Sequence, residues 1–327
     1  MRSTIFYLEG NEMRFCGIAL ALILSVGMHV SAALGADADL SVGEHDIDLG
    51  DVRLHYVVRG QGPLLLVTSP GWGIGSNYLQ SSLTPLEKKL KVVYIDTRAS
   101  GGSSRPADSS QMSQAVMADD IDKLRGKLGL ERIDLHGHSD GGTIAIEYGV
   151  RHPQHVGKLL LIAPAVLGDR ESEFTNAILN LWSTDPRYQD AVREERHANW
   201  GGPNFTDEEF ATGLVKALPL YFADPSRHVA TFMKSHLTGR PSAYAYRTWG
   251  EAAEKSERNQ TKDLGFIQAR TLIINGTVDW ICPYPAAQRL HAAIPNSELR
   301  LYANRGHFTW IEDAPRFFDE VLGFLAN

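Results

Sequence analysis

The sequence predicts an α/β fold: a mostly parallel central sheet flanked by helices, with a helical block inserted late in the chain. Three observations predict it. Short, strongly apolar, β-rich runs recur along the chain, as buried parallel strands do when helices cover both faces of a sheet. Helical patterns separate these runs, which implies right-handed crossovers within one parallel sheet. The alternation then breaks once, between residues 166 and 265, where only helical stretches such as SEFTNAILNLW, DEEFATGLVKAL and RHVATFMKSHL are found. A length of 327 residues suits one such domain with an insertion.

The elements follow in order. Residues 15–30, FCGIALALILSVGMHV, are apolar and uncharged, preceded by Met13-Arg14 and followed by SAALGADA. That is the layout of a secretory signal peptide over residues 1–38, with Met13 as the true start and cleavage between about Ala32 and Ala38. Sixteen apolar residues fall short of the ~20 needed to span a bilayer. The expectation is a secreted or periplasmic protein with no stable membrane span after cleavage. Cys16 lies in this leader, leaving Cys282 alone, so neither a disulfide nor a paired-cysteine zinc motif can form; a small buried residue is the expected role of Cys282. With 43% apolar and 22% charged residues the chain is ordinary globular material. A net charge of −7 with no basic stripe excludes a nucleic-acid partner.

After the leader, HDIDLGDVRLHYVVRG alternates apolar and polar residues around Gly50-Asp51, which predicts a β-hairpin. The expected parallel strands are 64–68, 91–96, 132–137, 158–163, 270–276 and 297–302. Helices are expected over 76–90, 113–128, 141–152, 285–293 and 314–325. The sheet pattern resumes at 270, so the helical block reads as a cap (166–265) inserted between two core parts, 39–165 and 266–327, rather than a separate terminal domain.

The chemistry centres on IDLHGHSDGG. Gly137-His138-Ser139-Asp140-Gly141 fits G-x-S-x-G and stands where a strand turns sharply into a helix. Such an elbow pushes the serine hydroxyl up off the sheet, with glycines where side chains would collide. Helix capping alone does not explain a glycine two residues before the serine. A serine hydroxyl needs a base, and the base an orienting acid, which in this architecture follow in the order serine, acid, histidine. Asp279 in NGTVDWICP follows strand 270–276 and is the candidate acid, with Asp169 a weaker substitute. Beyond it lie only His291, inside a helical run, and His307, in the loop NRGHFTW after the last strand. His307 is the candidate base.

An oxyanion formed at the serine needs backbone donors. The Asp140 amide is one. The other is assigned to Gly71 in SPGWGIGS, with Trp72 as the alternative. Trp72, His138 and Trp280 are candidate pocket residues, although core packing explains Trp72 equally well.

Together these residues resemble the α/β-hydrolase superfamily over nearly all of the chain beyond the leader. Within it the sequence is most similar to the proline iminopeptidase branch, through VVYIDTRASGGSSRP, GHSDGG, the large cap, GTVDWICP and NRGHFTWIEDAPRFFDEVLGFL. The resemblance implies a Ser139-Asp279-His307 triad, with no metal and no organic cofactor. It also implies that cap glutamates hold a substrate α-amino group; Glu194, Glu195, Glu208 and Glu209 lie in a suitable region. The chain departs from the branch at SPGWG for HGGPG, GHSDGG for GGSWGS and DTRASGGSS for DQRGxGxS, so specificity for an N-terminal proline does not follow. The expected function is a serine hydrolase cleaving a small ester, amide or peptide bond of a small molecule or short peptide through an acyl-enzyme. A carboxylesterase or lactonase is the alternative, and a non-catalytic binding protein the third reading. Relatives that open epoxides carry aspartate at the elbow and are excluded. A nucleotide site is excluded too, since no phosphate-loop lysine or G-x-G-x-x-G follows the first strand.

Overall fold

In the computed structural model, residues 39–326 are described except 169–171, 199, 201, 203 and 256–258. The leader and Asp169 lie outside the described residues. Eight strands, β1 (Gly43–Asp48), β2 (Arg53–Gly60), β3 (Leu64–Thr68), β4 (Lys91–Ile95), β5 (Ile133–His138), β6 (Val156–Ile162), β7 (Arg270–Gly276) and β8 (Ser297–Tyr302), form one sheet in the order β1-β2-β4-β3-β5-β6-β7-β8. Pairing is antiparallel from β1 to β2 and from β2 to β4, and parallel throughout the rest. The expected hairpin is β1–β2, its turn closed by Leu49 N–H donating to the Val52 carbonyl.

Helices α1 (Asn77–Ser82), α2 (Thr84–Glu87), α3 (Gln114–Lys127) and α4 (Asp140–Arg151) join the strands of the first half. Helices α5 (Ser172–Trp182), α6 (Gln189–His197), α7 (Asp207–Ala217), α8 (Pro225–Ser235) and α9 (Ala243–Lys255) lie between β6 and β7, with no strand among the described residues there. Helices α10 (Tyr284–Ala293), α11 (Thr309–Glu312) and α12 (Ala314–Ala326) complete the chain. One expected element divides: 76–90 is not a single helix but α1 and α2. Leu83 leaves helical geometry at φ −97°, ψ 13°, and Pro85 has no N–H to continue the ladder. No helix among the described residues is long and apolar enough to cross a membrane.

The apolar strand runs are explained by two cores, one on each face of the sheet. Along β6, Leu160 and Ile162 enter one core with Leu65, Val67 and Val92, while Leu159 and Leu161 enter the other with Leu66, Val93 and Leu135. Period-two alternation with helices on both faces makes every position apolar. The first core continues into the cap, where Phe222, Phe232 and Tyr221 surround Phe308 at ring separations of 5.1, 4.6 and 5.7 Å. The residue after His307 is thereby the point at which the cap is seated.

The DTRASGGSS turn after β4 is a clamp. Asp96 Oδ1 accepts from the Ser76 amide (2.6 Å) and hydroxyl (2.7 Å), and its Oδ2 accepts from the Gly102 amide (2.8 Å). Beneath it Arg98, fully buried, donates to Asp51 and Asp120. The loop 69–76 is held at its far end by this network.

Leu160 lies at the centre of the sheet with no exposed surface. Leu160→Ala is expected to lower unfolding free energy by about 2–5 kcal/mol, read from urea denaturation with an unchanged slope.

Candidate active site

The elbow is built by close approach. A Cβ on Gly137 would lie 2.2 Å from the Gly141 carbonyl oxygen, and one on Gly142 would lie 2.6 Å from Pro164 Cβ. Only with bare backbone there can β5 turn directly into α4. Ser139 takes the strain, at φ 57° and ψ −124°, a conformation costing about 1–3 kcal/mol for a residue with a side chain. The surroundings over-determine it. The Ser139 amide donates to the Ile162 carbonyl (3.1 Å), and its own carbonyl accepts from the amides of Gly142 (2.9 Å) and Ala165 (3.0 Å). Its side chain stands, partly exposed, at the N-terminus of α4, where the helix dipole favours negative charge.

Asp279 and His307 meet as expected. His307 Nδ1 lies 2.8 Å from Asp279 Oδ2, with both groups buried. The other carboxylate oxygen accepts from the amides of Ile281 (3.1 Å) and Cys282 (3.0 Å), so the acid is fixed from both sides. The two loops touch because Gly276 is bare: a Cβ there would lie 2.1 Å from the Arg305 carbonyl oxygen. The His307 amide donates to the Tyr221 carbonyl of the cap at 2.9 Å.

Ser139 joins this pair through its neighbours. Among the described residues no hydrogen bond joins the Ser139 side chain to this pair; the ring of His138, next to it in the chain, lies 4.4 Å from the His307 ring, and the Asp279 loop also carries the buried Cys282 thiol. Burial pushes that thiol well above its ordinary range, with Asp279 adding to the effect, so Cys282 is a protonated wall residue.

Gly71 is partly exposed, and its backbone packs on the elbow: a Cβ there would lie 3.0 Å from Asp140 Cβ. The amides assigned to the oxyanion therefore belong to neighbouring backbone segments. Trp72 is partly buried against Tyr221 (5.1 Å, edge-on), Tyr78 and Phe308. Trp280 is buried 6.0 Å from Tyr221, its carbonyl accepting from the Thr175 hydroxyl.

His138, expected to line a pocket, is instead packed behind the base. Its Nε2 lies 3.3 Å from the His307 carbonyl oxygen and its Nδ1 lies 2.6 Å from the Tyr78 hydroxyl. A carbonyl only accepts, so Nε2 carries the proton and Nδ1 accepts from Tyr78. Burial, then the neighbouring His307, hold His138 well below the usual histidine range and hence neutral. Weak adjacency in the sequence gives no hint of this contact, since Tyr78 and His307 are both distant.

A cavity of about 300 Å³ adjoins the elbow, lined by Pro164, Ala165, Val166, Thr175, Ile281 and Cys282. A second, of about 670 Å³, lies within the cap and is lined by Glu194, Trp200, Phe205, Glu208 and Lys216. The four cap glutamates separate on inspection. Glu194 pairs with Lys216 at 3.3 Å, Glu208 lines the cap cavity, and Glu209 closes the capping box of α7 with Thr206. Glu195 alone is pushed up by burial, to about 7, and its charge is felt by Tyr221 and Tyr246. Glu312, which the motifs did not single out, accepts from the amides of Gly306, Ala223 and Asp224 and so ties the histidine loop to the cap.

The Asp140 carboxyl is buried with no cation; Gln114 Nε2 lies 3.4 Å from its Oδ1. Burial pushes it up to about 8. Between about pH 4, where the unfolded side chain ionises, and pH 8 the folded state keeps a proton that the unfolded state releases. This group therefore makes stability fall as pH rises through that window. Asp140→Asn is expected to flatten the decline, measured as urea midpoints from pH 5 to 8.

The description of the α/β hydrolase fold family matches residues 64–314. Among curated proteins, the chain is 26% identical to the proline iminopeptidase PfmaB of Pestalotiopsis fici, over 81% of this chain and 93% of that one. It is 29% identical to a 2-hydroxy-6-oxononadienedioate/2-hydroxy-6-oxononatrienedioate hydrolase of Pseudomonas putida, over 85% of this chain and 93% of that one. Among solved structures, an esterase from Exiguobacterium antarcticum superposes with a TM-score of 0.63 at 22% identity, covering 84% of this chain and 96% of its own. The enol-lactonase of Burkholderia xenovorans LB400 gives 0.64 at 20% identity, covering 86% and 100%. With its sheet order, its elbow and this match across most of its length, the chain belongs to the α/β hydrolase fold family and is a hydrolase.

Proposed function

We propose that the protein is a serine hydrolase cleaving a small ester, amide or peptide bond through an acyl-enzyme. The observation that carries this reading is the strained Ser139 elbow together with the buried His307–Asp279 pair. Ser139 Oγ attacks the carbonyl carbon while His307 Nε2, the ring nitrogen not engaged by Asp279, takes its proton. Asp279 holds the ring and stabilises the imidazolium. The amides of Asp140 and Gly71 receive the oxyanion. His307 then protonates the leaving group, and water repeats the sequence to release the acid.

Glu195 favours a substrate with a free amino group, as in an exopeptidase similar to proline iminopeptidase. A cap carboxyl whose burial favours its neutral form gains a partner when an ammonium binds. A carboxylesterase or lactonase is the second reading, and relatives with those chemistries share the fold. The leader-like sequence at residues 15–38 supports export to the periplasm or beyond.

The test is turnover of proline p-nitroanilide and a short-chain p-nitrophenyl ester by wild type, Ser139→Ala and Glu195→Gln. Ser139→Ala is expected to lose all turnover, and Glu195→Gln to raise KM for the anilide while sparing the ester. Ester cleavage alone moves the protein to the carboxylesterases; equal activity in wild type and Ser139→Ala overturns the mechanism. In the same assay His138→Phe is expected to lower kcat roughly tenfold to a hundredfold with little change in KM. His138→Gln, which can still donate to the His307 carbonyl, should recover part of the loss.

A further inference from the structure

A group of ionisable side chains lies at the opposite end of α4 from Ser139, about 18 Å along the helix axis, and the proposed reaction leaves it unused. Asp119 and Asp122 share one face of α3, three residues apart. Pro153 ends α4, and the tight turn after it presents His152 and His155 to that face, rings parallel within 6° at 6.1 Å. His155 Nδ1 lies 2.7 Å from Asp122 Oδ1. His152 Nε2 lies 2.8 Å from Asp119 Oδ1, while its Nδ1 faces Asp122 Oδ2 at 3.9 Å, beyond hydrogen-bond reach.

The tautomer of His152 makes this arrangement unusual. Asp119 accepts the Nε2 proton, which leaves the electron pair of the neutral ring on Nδ1, aimed at a carboxylate oxygen. Two electron-pair donors facing each other at that distance leave room for a cation between them, beside the bond of 3.3 Å that Arg125 Nη2 donates to Asp122 Oδ2. A carboxylate that orients an imidazole by its far nitrogen is also the usual support for a metal-bound histidine. Zinc–nitrogen and zinc–oxygen bonds of about 2.0–2.2 Å place tetrahedral ligands about 3.3 Å apart. The observed 2.7 and 3.9 Å straddle that edge, within reach of small rotations of three side chains. The rings are 20–26% exposed, so an ion can enter from solvent.

We propose that His152 Nδ1, His155 Nδ1 and Asp122 form a binding site for a divalent transition-metal ion, for which zinc(II) is the probe, with water in the fourth position. His155 passes to its Nε2–H tautomer on binding, so no net proton need leave. The neighbouring charges moderate the affinity. Arg125 donates to Asp122 Oδ1 at 2.7 Å, Tyr148 donates to the same oxygen at 3.2 Å, and Arg151 holds Asp119 at 2.6 Å. The Asp122 carboxyl is held in place by Arg125 and His155. An ion there staples the end of the elbow helix to α3. The proposal stands independently of the hydrolase reaction.

The experiment is calorimetric titration of zinc chloride into the purified, metal-free protein and into His152→Ala, His155→Ala and Asp119→Asn. One equivalent is expected in wild type, none in either histidine variant, and binding roughly 10–100-fold weaker in Asp119→Asn. Excess zinc should raise Tm in wild type and leave Tm unchanged in both histidine variants. Absence of a stoichiometric event, or binding that survives both histidine substitutions, overturns the proposal. A long-range 1H–15N spectrum of the wild-type imidazoles needs no variant. Zinc must move the His152 and His155 ring nitrogens and leave His307; movement of other rings in their place overturns it equally.

Discussion

Ser139 is held at a positive φ, and the rest of the site depends on how the chain is made to hold it there. A residue with a side chain does not adopt this backbone unless its neighbours leave no alternative. Here those neighbours are the end of β6, the following segment through Ala165, and the glycines that let β5, α4 and Pro164 come into contact. The same contacts set Ser139 at the N-terminus of α4, with the Asp140 amide next in the chain. Strain and the placement of the proposed nucleophile and oxyanion donor are thus one local geometry.

The proposed base is placed by longer-range means. His307 sits on a loop with little regular structure, yet it is fixed through the Asp279 carboxylate, the Tyr221 carbonyl and the ring of His138. Glu312 adds a second tie between that loop and the cap segment 223–224. Burial raises the Glu312 carboxyl, and three backbone amides offset the cost of keeping it inside. The cap is thereby wired to the His307 loop by backbone hydrogen bonds as well as by the aromatic cluster on Phe308. A change in cap position would be felt directly at His307.

Buried polar groups near the elbow are sorted by charge. Asp279 has an imidazole partner and two amides, Asp96 is filled by amides and a hydroxyl, and Arg98 is matched by two carboxylates. Asp140, His138 and Cys282 have no opposite charge, and burial drives each toward its neutral form. The space around Ser139 is therefore kept free of unpaired charge except where the reaction is proposed to create it. The zinc site proposed at the far end of α4 sits where the chain is partly exposed and charge is tolerated.

The six parallel strands, the hairpin, the elbow and the pairing of Asp279 with His307 were legible in the sequence. They depend on local periodicity, on turn chemistry and on a fixed order of loops along a parallel sheet, all properties of short segments. The break of 76–90 into α1 and α2 was also written locally, at Pro85, but the continuous apolar pattern obscured it. What only the tertiary structure decided concerns residues far apart in the chain. His138 serves the back of His307 because Tyr78, sixty positions earlier, takes its other nitrogen. Glu195 is distinguished from three other cap glutamates solely by what buries it. Asp122 meets His152 and His155 across two helices. Sequence pattern reports which face a side chain occupies; its partner there is set by how the layers stack, and that is a property of the folded molecule alone.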